Sequence, residues 1–226
     1  METRSVGDLV ILTPDLDPRD LDDTTDPPDD DLVEANVDGT DWSRLHLTGA
    51  RVRLSHLAGV NLVEVAWRNV TFYGCRFERV DFSSARLTGM TVERCEFVGC
   101  RMTGLLLGET TLKNVIFEDC RLDYATLADV RATGPAAWTR CTLTETTMAN
   151  CRLPSVAIRS CNLAGLVMDT CDLRQADLRD NDLSQVTGLA SLHGVRLAQE
   201  QLPGLATSML RELAIEMDGQ DSHFRS

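Results

Sequence analysis

A large apolar residue recurs at every fifth position through most of this chain, and this period restricts the fold more than any other feature. The column runs from Leu32 to Ala132, slips by one residue, and resumes from Trp138 to Leu183. All three tryptophans and five of the six phenylalanines lie in it. A period of five matches neither the 3.6-residue repeat of an α-helix nor the two-residue alternation of a long strand. The chain is therefore predicted to be an array of short repeated units.

A second column of small or medium-sized residues lies two positions before the first, and it contains every cysteine. Two inward-facing residues two positions apart fit one very short strand. Nine of the fifteen glycines occupy the second position after the large residue, where a tight turn often requires a positive φ. Each unit is thus predicted to form one side and one corner of a solenoid. The cysteines are Cys75, Cys95, Cys100, Cys120, Cys141, Cys151, Cys161 and Cys171, and the corner glycines are Gly39, Gly49, Gly59, Gly74, Gly89, Gly99, Gly104, Gly134 and Gly165.

The spacing of like residues predicts four units in each coil. Five cysteine pairs are 20 or 21 residues apart, and an aromatic column follows the same spacing. That column is Phe77, Phe97, Phe117 and Trp138. Stacked at about 4.8 Å per coil, the 31 units make nearly eight coils, or roughly 37 Å of solenoid. The extra residue in the segment 133–137, which contains glycine and proline, predicts a bulge at one corner.

The most regular part of the array is Cys171-Asp172-Leu173-Arg174-Gln175 and the ten residues that follow it, up to Gln185. With Ala35-Asn36-Val37 and similar triplets, these residues resemble the pentapeptide-repeat proteins, whose consensus is close to Ala-Asp/Asn-Leu-X-X. The resemblance covers residues 32–186. It implies an all-β solenoid, a right-handed quadrilateral β-helix of about eight coils with four repeats per coil, and no active site.

The two ends of the chain differ from the array. Residues 1–31 hold eleven acids and two arginines, which predicts a solvated acidic tail, flexible or partly docked on the first coil as a cap through Val10, Ile11 and Leu12. Residues 187–226 are predicted to be a C-terminal cap with a helix at about 198–217, because a solenoid must cover its open end. The apolar face of this helix contains Leu205, Met209, Leu210, Leu213 and Met217. In some relatives such an element joins two protomers, so the resemblance also implies a homodimer through this helix.

Composition argues against several functions. A net charge of −13 disfavours direct binding to nucleic acid or to an anionic membrane. The chain starts without a basic, apolar leader and has no spanning segment, which predicts a cytoplasmic protein with reduced thiols. No two cysteines are closer than five residues, so zinc binding is not expected. His46 and His56 lie at outward positions without a nucleophile in register. No catalytic, cofactor or metal residues are predicted, and the protein is expected not to be an enzyme.

Two functions remain open. The resemblance includes bacterial members that mimic DNA and bind DNA gyrase, a type II topoisomerase, where they inhibit the enzyme or protect it from quinolones and toxins. The candidate acidic face lies on one side of the coil and consists of Asp41, Glu64, Asp81, Asp123, Glu145 and Asp182. Residues 32–186 nevertheless carry 19 acids against 17 bases, and another side is mildly basic. The alternative is therefore a scaffold or regulator with an unidentified cytosolic protein partner.

Overall fold

The structure of the chain, a computed structural model, describes residues 2–216. They form a parallel β-solenoid of about seven turns with one C-terminal helix. Strands pair in parallel with strands 20 residues before and after them, as Thr71 does with Arg51 and Thr91. An all-β solenoid with four five-residue units per coil is therefore confirmed.

The four sides are called first to fourth in the order in which the chain passes through them from Leu32. The first side contains the strands Asp31–Val33, Arg51–Arg53, Thr71–Tyr73 and Arg131–Ala132, and the starts of two long strands, Thr91–Val98 and Thr111–Glu118. The second side contains Asp22–Asp23, Ala35–Asp38, His56–Ala58, Arg76–Glu78, Ala136–Thr139 and Ala157–Arg159, and the ends of the long strands. The third side pairs through single-residue bridges along Asp41, Asn61, Asp81, Arg101, Arg121, Thr142 and Asn162. The fourth side contains His46–Thr48, Ala66–Arg68, Arg86–Thr88, Leu106–Gly108, Thr126–Ala128, Thr147–Ala149 and Val167–Asp169.

The aromatic column of the second side is a continuous stack inside the solenoid. Ring centroids are 4.6 Å apart for Phe77 and Phe97, 4.8 Å for Phe97 and Phe117, and 5.2 Å for Phe117 and Trp138. The rings are nearly parallel, with interplanar angles of 4°, 10° and 8°. These separations are close to the rise of about 4.8 Å between paired strands. Like residues therefore stack on like, as the 20-residue spacing predicted.

The corners of the coil turn through left-handed backbone conformations. The second residue after the large one has a positive φ in every unit from Glu34 to Asp180, with the exception of Gly134. Eight of the nine predicted corner glycines therefore have the expected conformation, and Gly134 does not. Most other corners are occupied by residues with side chains, such as Leu54 at φ 50°. The packing of the coil imposes this geometry, and glycine lowers its cost where it occurs.

The extra residue of the array is accommodated at the corner between the first and second sides. Thr111 still pairs with Arg131, 20 residues on, whereas Val115 pairs with Ala136, 21 residues on. The carbonyl oxygen of Pro135 accepts a hydrogen bond from the Val115 amide at 3.2 Å. The backbone ladder is thus restored immediately after the insertion, and the predicted corner bulge is confirmed.

The cysteines are core residues. All eight are free thiols, seven are buried and Cys171 is partly buried. Seven of the Sγ atoms donate to backbone carbonyls of the preceding coil, as Cys120 does to Phe97 at 3.3 Å, whereas Cys95 donates to Glu93. The pKa of Cys141 is well above the ordinary thiol value because its hydrogen bond with the Cys120 thiol favours the neutral form, and burial acts in the same direction. A thiol held neutral is a poor nucleophile, so Cys141 contributes packing. The partly buried Cys171 differs, because its hydrogen bond with the Cys151 thiol lowers its pKa.

The N-terminal segment differs from the predicted tail. The strands Glu2–Val6 and Leu9–Thr13 form an antiparallel pair, here called the N-terminal hairpin, with Gly7 at φ 57° in its turn. Ile11 is fully buried in a cluster with Ile116 and Ala137, on the outside of the second side. Residues 9–13 therefore lie against the middle of the solenoid and not on its first coil. The hairpin docks there because, on the second side, the outward position just before the large residue is apolar only at these levels.

The first coil is closed by the acidic residues that follow a short 3-10 turn, Pro18–Asp20. The strand Asp22–Asp23 pairs with the start of Ala35–Asp38 and so adds an edge strand below the first coil. The Trp42 indole N–H donates to the carbonyl oxygen of Thr25 at 2.9 Å. Residues 22–25 thus supply the partners that the open end of a β-solenoid otherwise lacks.

The C-terminal cap begins with the 3-10 turns Leu189–Leu192 and Gln199–Gln201 and continues as the helix Leu202–Glu212. The helix contacts the last coil through polar groups: Ser208 Oγ donates to the Leu183 carbonyl at 2.6 Å. Leu205 and Leu210 are half-buried, whereas Met209 and Leu213 are exposed. Met217, the last residue of the predicted face, lies outside the described residues. No helix in residues 2–216 is long and apolar enough to cross a membrane.

Candidate protein-binding surfaces

The third side carries the predicted acidic face, and half of its six carboxylates lie close to a basic residue of the same side. Glu64 pairs with Arg44 at 2.9 Å, and Asp81 lies 3.4 Å from Arg101. Asp123 Oδ2 is 3.9 Å from Arg121 Nε. The charge of these three is compensated locally, whereas Glu145 is exposed and takes part in none of these pairs.

The backbone of the third side also uses some of these carboxylates. Asp41 and Asp81 accept hydrogen bonds from the amides two residues later, at 3.0 Å and 2.9 Å, and Asp182 does the same at 2.8 Å. Hydrogen bonding to the Ser43 amide lowers the pKa of Asp41 below its usual range. Because Arg101 and Arg121 are in the middle of the column that begins at Asp41, the six predicted residues do not form one continuous anionic face.

A stronger concentration of negative charge lies at the N-terminal end of the solenoid. Residues 22–41 contain nine acids and no lysine or arginine, a net charge of −9. The acids from Asp22 to Asp41 are all exposed. This surface, residues 22–41, is called the acidic cap. Its backbone is fixed by the strand pairing described above and by a 2.7 Å hydrogen bond from Asn36 Nδ2 to Asp23. The charge was evident from composition, but the fold places it at one end of a rod.

The first side carries both acidic and basic residues, with a small excess of basic ones. Lys113 pairs with Glu93 at 2.8 Å, and the Arg94 guanidinium lies 5.8 Å from the centre of the Tyr73 ring. Arg174 is held by two contacts to its neighbour Asp172. A surface with alternating charges matches a protein partner better than a nucleic acid, because the phosphate backbone of a nucleic acid is uniformly negative.

The second side was not identified as a functional surface from the sequence. Between Glu96 and Asp177 its outward residues are covered by the N-terminal hairpin, and Ile116, Ala137 and Ala157 are fully buried beneath it. The usable sequence signal was the presence of three apolar residues at a position that is polar in the other units of the second side.

The C-terminal helix presents an apolar patch away from the last coil. Leu202 is 54% exposed, Met209 45%, Leu213 63% and Ile215 49%. Large exposed apolar side chains grouped at helical spacing are typical of an interface. The polar side of the helix faces the solenoid, so the apolar side is available to another molecule.

His56, on the second side, lies between two polar side chains of the same side. His56 Nδ1 lies 3.2 Å from Asn36 Oδ1, and its Nε2 lies 3.5 Å from Glu78. Within residues 2–216, no group of three or more His, Cys, Asp or Glu side chains is arranged to hold a metal ion. The geometry offers binding surfaces.

Comparison with known families identifies the repeat. The family model described as "Pentapeptide repeat region" matches residues 67–134. This chain carries a pentapeptide repeat. The resemblance found from the residues is thereby confirmed, and pentapeptide-repeat proteins are generally non-enzymatic binding or structural proteins. Comparison of the sequence with curated proteins gives no match.

Solved structures of pentapeptide-repeat proteins share this architecture. HetL from the cyanobacterium Nostoc sp. strain PCC 7120, involved in the regulation of heterocyst differentiation, aligns with a TM-score of 0.50 and 16% identity over 77% of this chain and 85% of its own. Trypsin-treated QnrB1, a plasmid-mediated fluoroquinolone resistance protein, aligns with a TM-score of 0.37 and 18% identity over 85% and 93%. Rfr23 from the cyanobacterium Cyanothece 51142 gives 0.22 and 14% over 74% and 91%. The likeness to HetL supports the fold alone.

Proposed function

We propose that this protein is a non-enzymatic binding protein that inserts its acidic cap into a cationic surface of a protein partner. The observation that carries the proposal is the concentration of net charge −9 in residues 22–41, at one end of a narrow rod. A fixed group of carboxylates accelerates association with a basic surface and disfavours acidic partners. On the sides of the solenoid acidic and basic residues lie close together, so the sides lack a comparable excess of negative charge.

The specific partner we propose is DNA gyrase or another type II topoisomerase. Such an enzyme binds duplex DNA in a cationic channel, and a rod with a dense acidic end can compete for it electrostatically. The resemblance to gyrase-binding pentapeptide-repeat proteins supports this choice. Binding would inhibit the topoisomerase or shield it from quinolones and toxins, a form of antibiotic resistance.

A second candidate is a scaffold that binds another cytosolic protein through its sides. The placement of Arg101 and Arg121 within the acidic column favours it, because a DNA mimic gains nothing from bases in the middle of its anionic face. Under this alternative the first or third side, and not the acidic cap, makes the main contact.

The C-terminal patch is proposed to join two copies of the chain. Leu202, Met209 and Leu213 are spaced so that the same apolar surface meets itself across a two-fold axis. Substituting Met209→Asp and Leu213→Asp together should convert a dimer to a monomer in light scattering. Val10→Asp is the control, because Val10 is 59% exposed on the distant hairpin. A monomeric wild-type protein at micromolar concentration contradicts this part of the proposal.

Gyrase supercoiling in the presence of the purified protein tests the choice of partner. We expect inhibition at micromolar protein, or protection of the enzyme from a quinolone. The variant Asp22→Asn, Asp23→Asn, Asp26→Asn, Asp29→Asn should lose the effect, since these isosteric changes remove charge from exposed positions. The matched control Glu64→Gln, Asp81→Asn, Asp123→Asn, Glu145→Gln removes four charges from the third side and should retain it.

The two candidates give different outcomes. An absence of any effect of wild-type protein on gyrase, with or without quinolone, refutes the gyrase proposal. An effect that is lost in the third-side variant and kept in the cap variant refutes the acidic cap as the binding surface and favours docking through the side of the solenoid.

A further inference from the structure

The N-terminal hairpin lies along the axis of the solenoid and spans several coils. Near its start, Arg4 reaches Glu96 and Glu118 at 3.0 Å and 2.7 Å. At its turn, Asp8 reaches Arg179 and Arg196 at 3.2 Å and 2.9 Å. Between these ends the solenoid rises by four coils, which is about 19 Å at the spacing of paired strands. The hairpin therefore crosses the strands of the second side and bridges residues more than 80 positions apart.

The surface beneath the hairpin has an apolar floor. Ile116, Ala137 and Ala157 occupy outward positions of three successive coils and are fully buried by Val6 and Ile11. The opening of the same surface towards the first side is bounded by Asn114, whose Oδ1 accepts a hydrogen bond from the Leu12 amide at 3.3 Å. The surface therefore offers apolar contacts to the aliphatic side chains of a ligand and a hydrogen-bond acceptor to its extended backbone.

The two ends of this surface carry opposite charge. Glu96 and Glu118 are 3% and 8% exposed and form a cation site at one end. Arg179 and Arg196 form an anion site at the other, where Arg179 also pairs with the buried Asp177 at 2.8 Å. This polarity fixes the direction in which a ligand can lie, because reversing it would bring like charges together.

The surface is formed by the solenoid without help from the hairpin. The cluster around Ile11 is separate from the main core, whose members all lie within the solenoid and its cap. The buried carboxylates keep arginine partners of their own side: Arg76 lies 3.2 Å from Glu96, and Arg140 contacts Glu118. Removing the hairpin therefore uncovers a preformed surface and leaves no buried charge alone.

We propose that the second side, from Glu96 to Arg196, is a docking surface for an extended segment of another protein with the pattern cation-x-aliphatic-x-carboxylate. The residues Arg4-Ser5-Val6-Gly7-Asp8 have this pattern and occupy the surface in cis. A partner segment with the same pattern displaces the hairpin and binds in its place. The hairpin then competes with the partner for the same surface, so a partner must bind tightly enough to displace it.

The test uses full-length protein and a fluorescent synthetic peptide of residues 2–13. In the variant Arg4→Glu, Ile11→Asp the hairpin carries a charge that Glu96 and Glu118 repel at one contact and an unpaired charge against the apolar floor at the other, so it should leave the surface. We expect saturable anisotropy with a Kd in the micromolar range for this variant and at least tenfold weaker binding to wild-type protein. A peptide with the Arg4→Glu change should bind the variant at least tenfold more weakly than the native peptide.

Hydrogen exchange and circular dichroism accompany the binding measurement. The variant should expose the amides of residues 2–13 while retaining the β-sheet spectrum and the melting transition of the solenoid. Failure of the native peptide to bind a folded variant with an exposed hairpin overturns the proposal. Continued protection of the hairpin amides in the variant also overturns it, because the named contacts would then not be those that hold the segment. Equal binding of the native and Arg4→Glu peptides shows that the carboxylate pair is not a cation site.

Discussion

Truncating the central ring of the aromatic stack, Phe97→Ala, tests the register of the whole solenoid. Phe97 is 4% exposed and lies between Phe77 and Phe117, with a third ring, Phe82, at 6.2 Å. Removing a buried phenylalanine side chain costs about 3–5 kcal/mol of unfolding free energy. Of this, the two parallel stacks contribute about 1–3 kcal/mol, at roughly 0.5–1.5 kcal/mol for each pair. For a chain of this size, the melting temperature should fall by about 6–20 °C.

Thermal and urea unfolding followed by circular dichroism measure this effect. Phe97→Leu keeps most of the apolar volume and loses only the stacking, so it should cost about 1–3 kcal/mol, less than the alanine variant. Thr126→Ala, at an outward position of the fourth side, should stay within about 0.5 kcal/mol of wild type. A loss below about 1 kcal/mol for Phe97→Ala, or equal losses for the alanine and leucine variants, would refute the stacked register.

Three further predictions concern other parts of the molecule. Cys120→Asp should cost more than about 4 kcal/mol in urea unfolding, because it places a carboxylate among buried thiols; near wild-type stability would show that this column does not point inward. Gly188→Ala should be much more destabilising than Gly39→Ala in the same assay, although both glycines have positive φ. A Cβ at Gly188 would lie 1.9 Å from a backbone carbonyl oxygen, whereas a Cβ at Gly39 would meet nothing within 4 Å. Similar losses of stability would contradict the close approach at Gly188. Burial opposes ionisation of Glu118, but hydrogen bonds from arginines, including Arg4, outweigh it and lower its pKa. The stabilisation from the Arg4–Glu118 pair is therefore complete above the unfolded pKa of about 4.3 and is lost as the pH falls through the lower folded value. Acid should accordingly reduce the unfolding free energy of wild type more than that of Arg4→Met. Parallel pH profiles of the two proteins would falsify the linkage.

The repeat could be read from the sequence because its signal is local and redundant. An error at one unit is corrected by thirty others, and the aromatic column from Phe77 to Trp138 alone fixes the number of units per coil. The corner insertion was also predictable, since one extra residue can be tolerated only where the chain turns.

The surfaces were less predictable because they depend on contacts between distant residues. Arg4 and Glu96 are 92 positions apart, and nothing in the local sequence of either indicates the pairing. The composition of residues 1–31 suggested a solvated tail, yet aliphatic contacts of Val6 and Ile11, together with ion pairs of Arg4 and Asp8, dock residues 2–13. The helix face was found, but its orientation followed from Ser208 and other polar contacts to the last coil, which leave Met209 and Leu213 exposed.

The sequence by itself determined the solenoid, its four sides and its thiol core, because a strict period dictates which side chains face inward in every coil. Only the tertiary structure decided where charge and apolar surface meet the solvent. Placing the acids of residues 22–41 at one end, and the hairpin across the second side, requires long-range packing that a five-residue period does not contain. The physical reason is that the core is specified by neighbours one coil apart, whereas the docked hairpin depends on pairs such as Arg4 and Glu96, which are several coils apart in the chain.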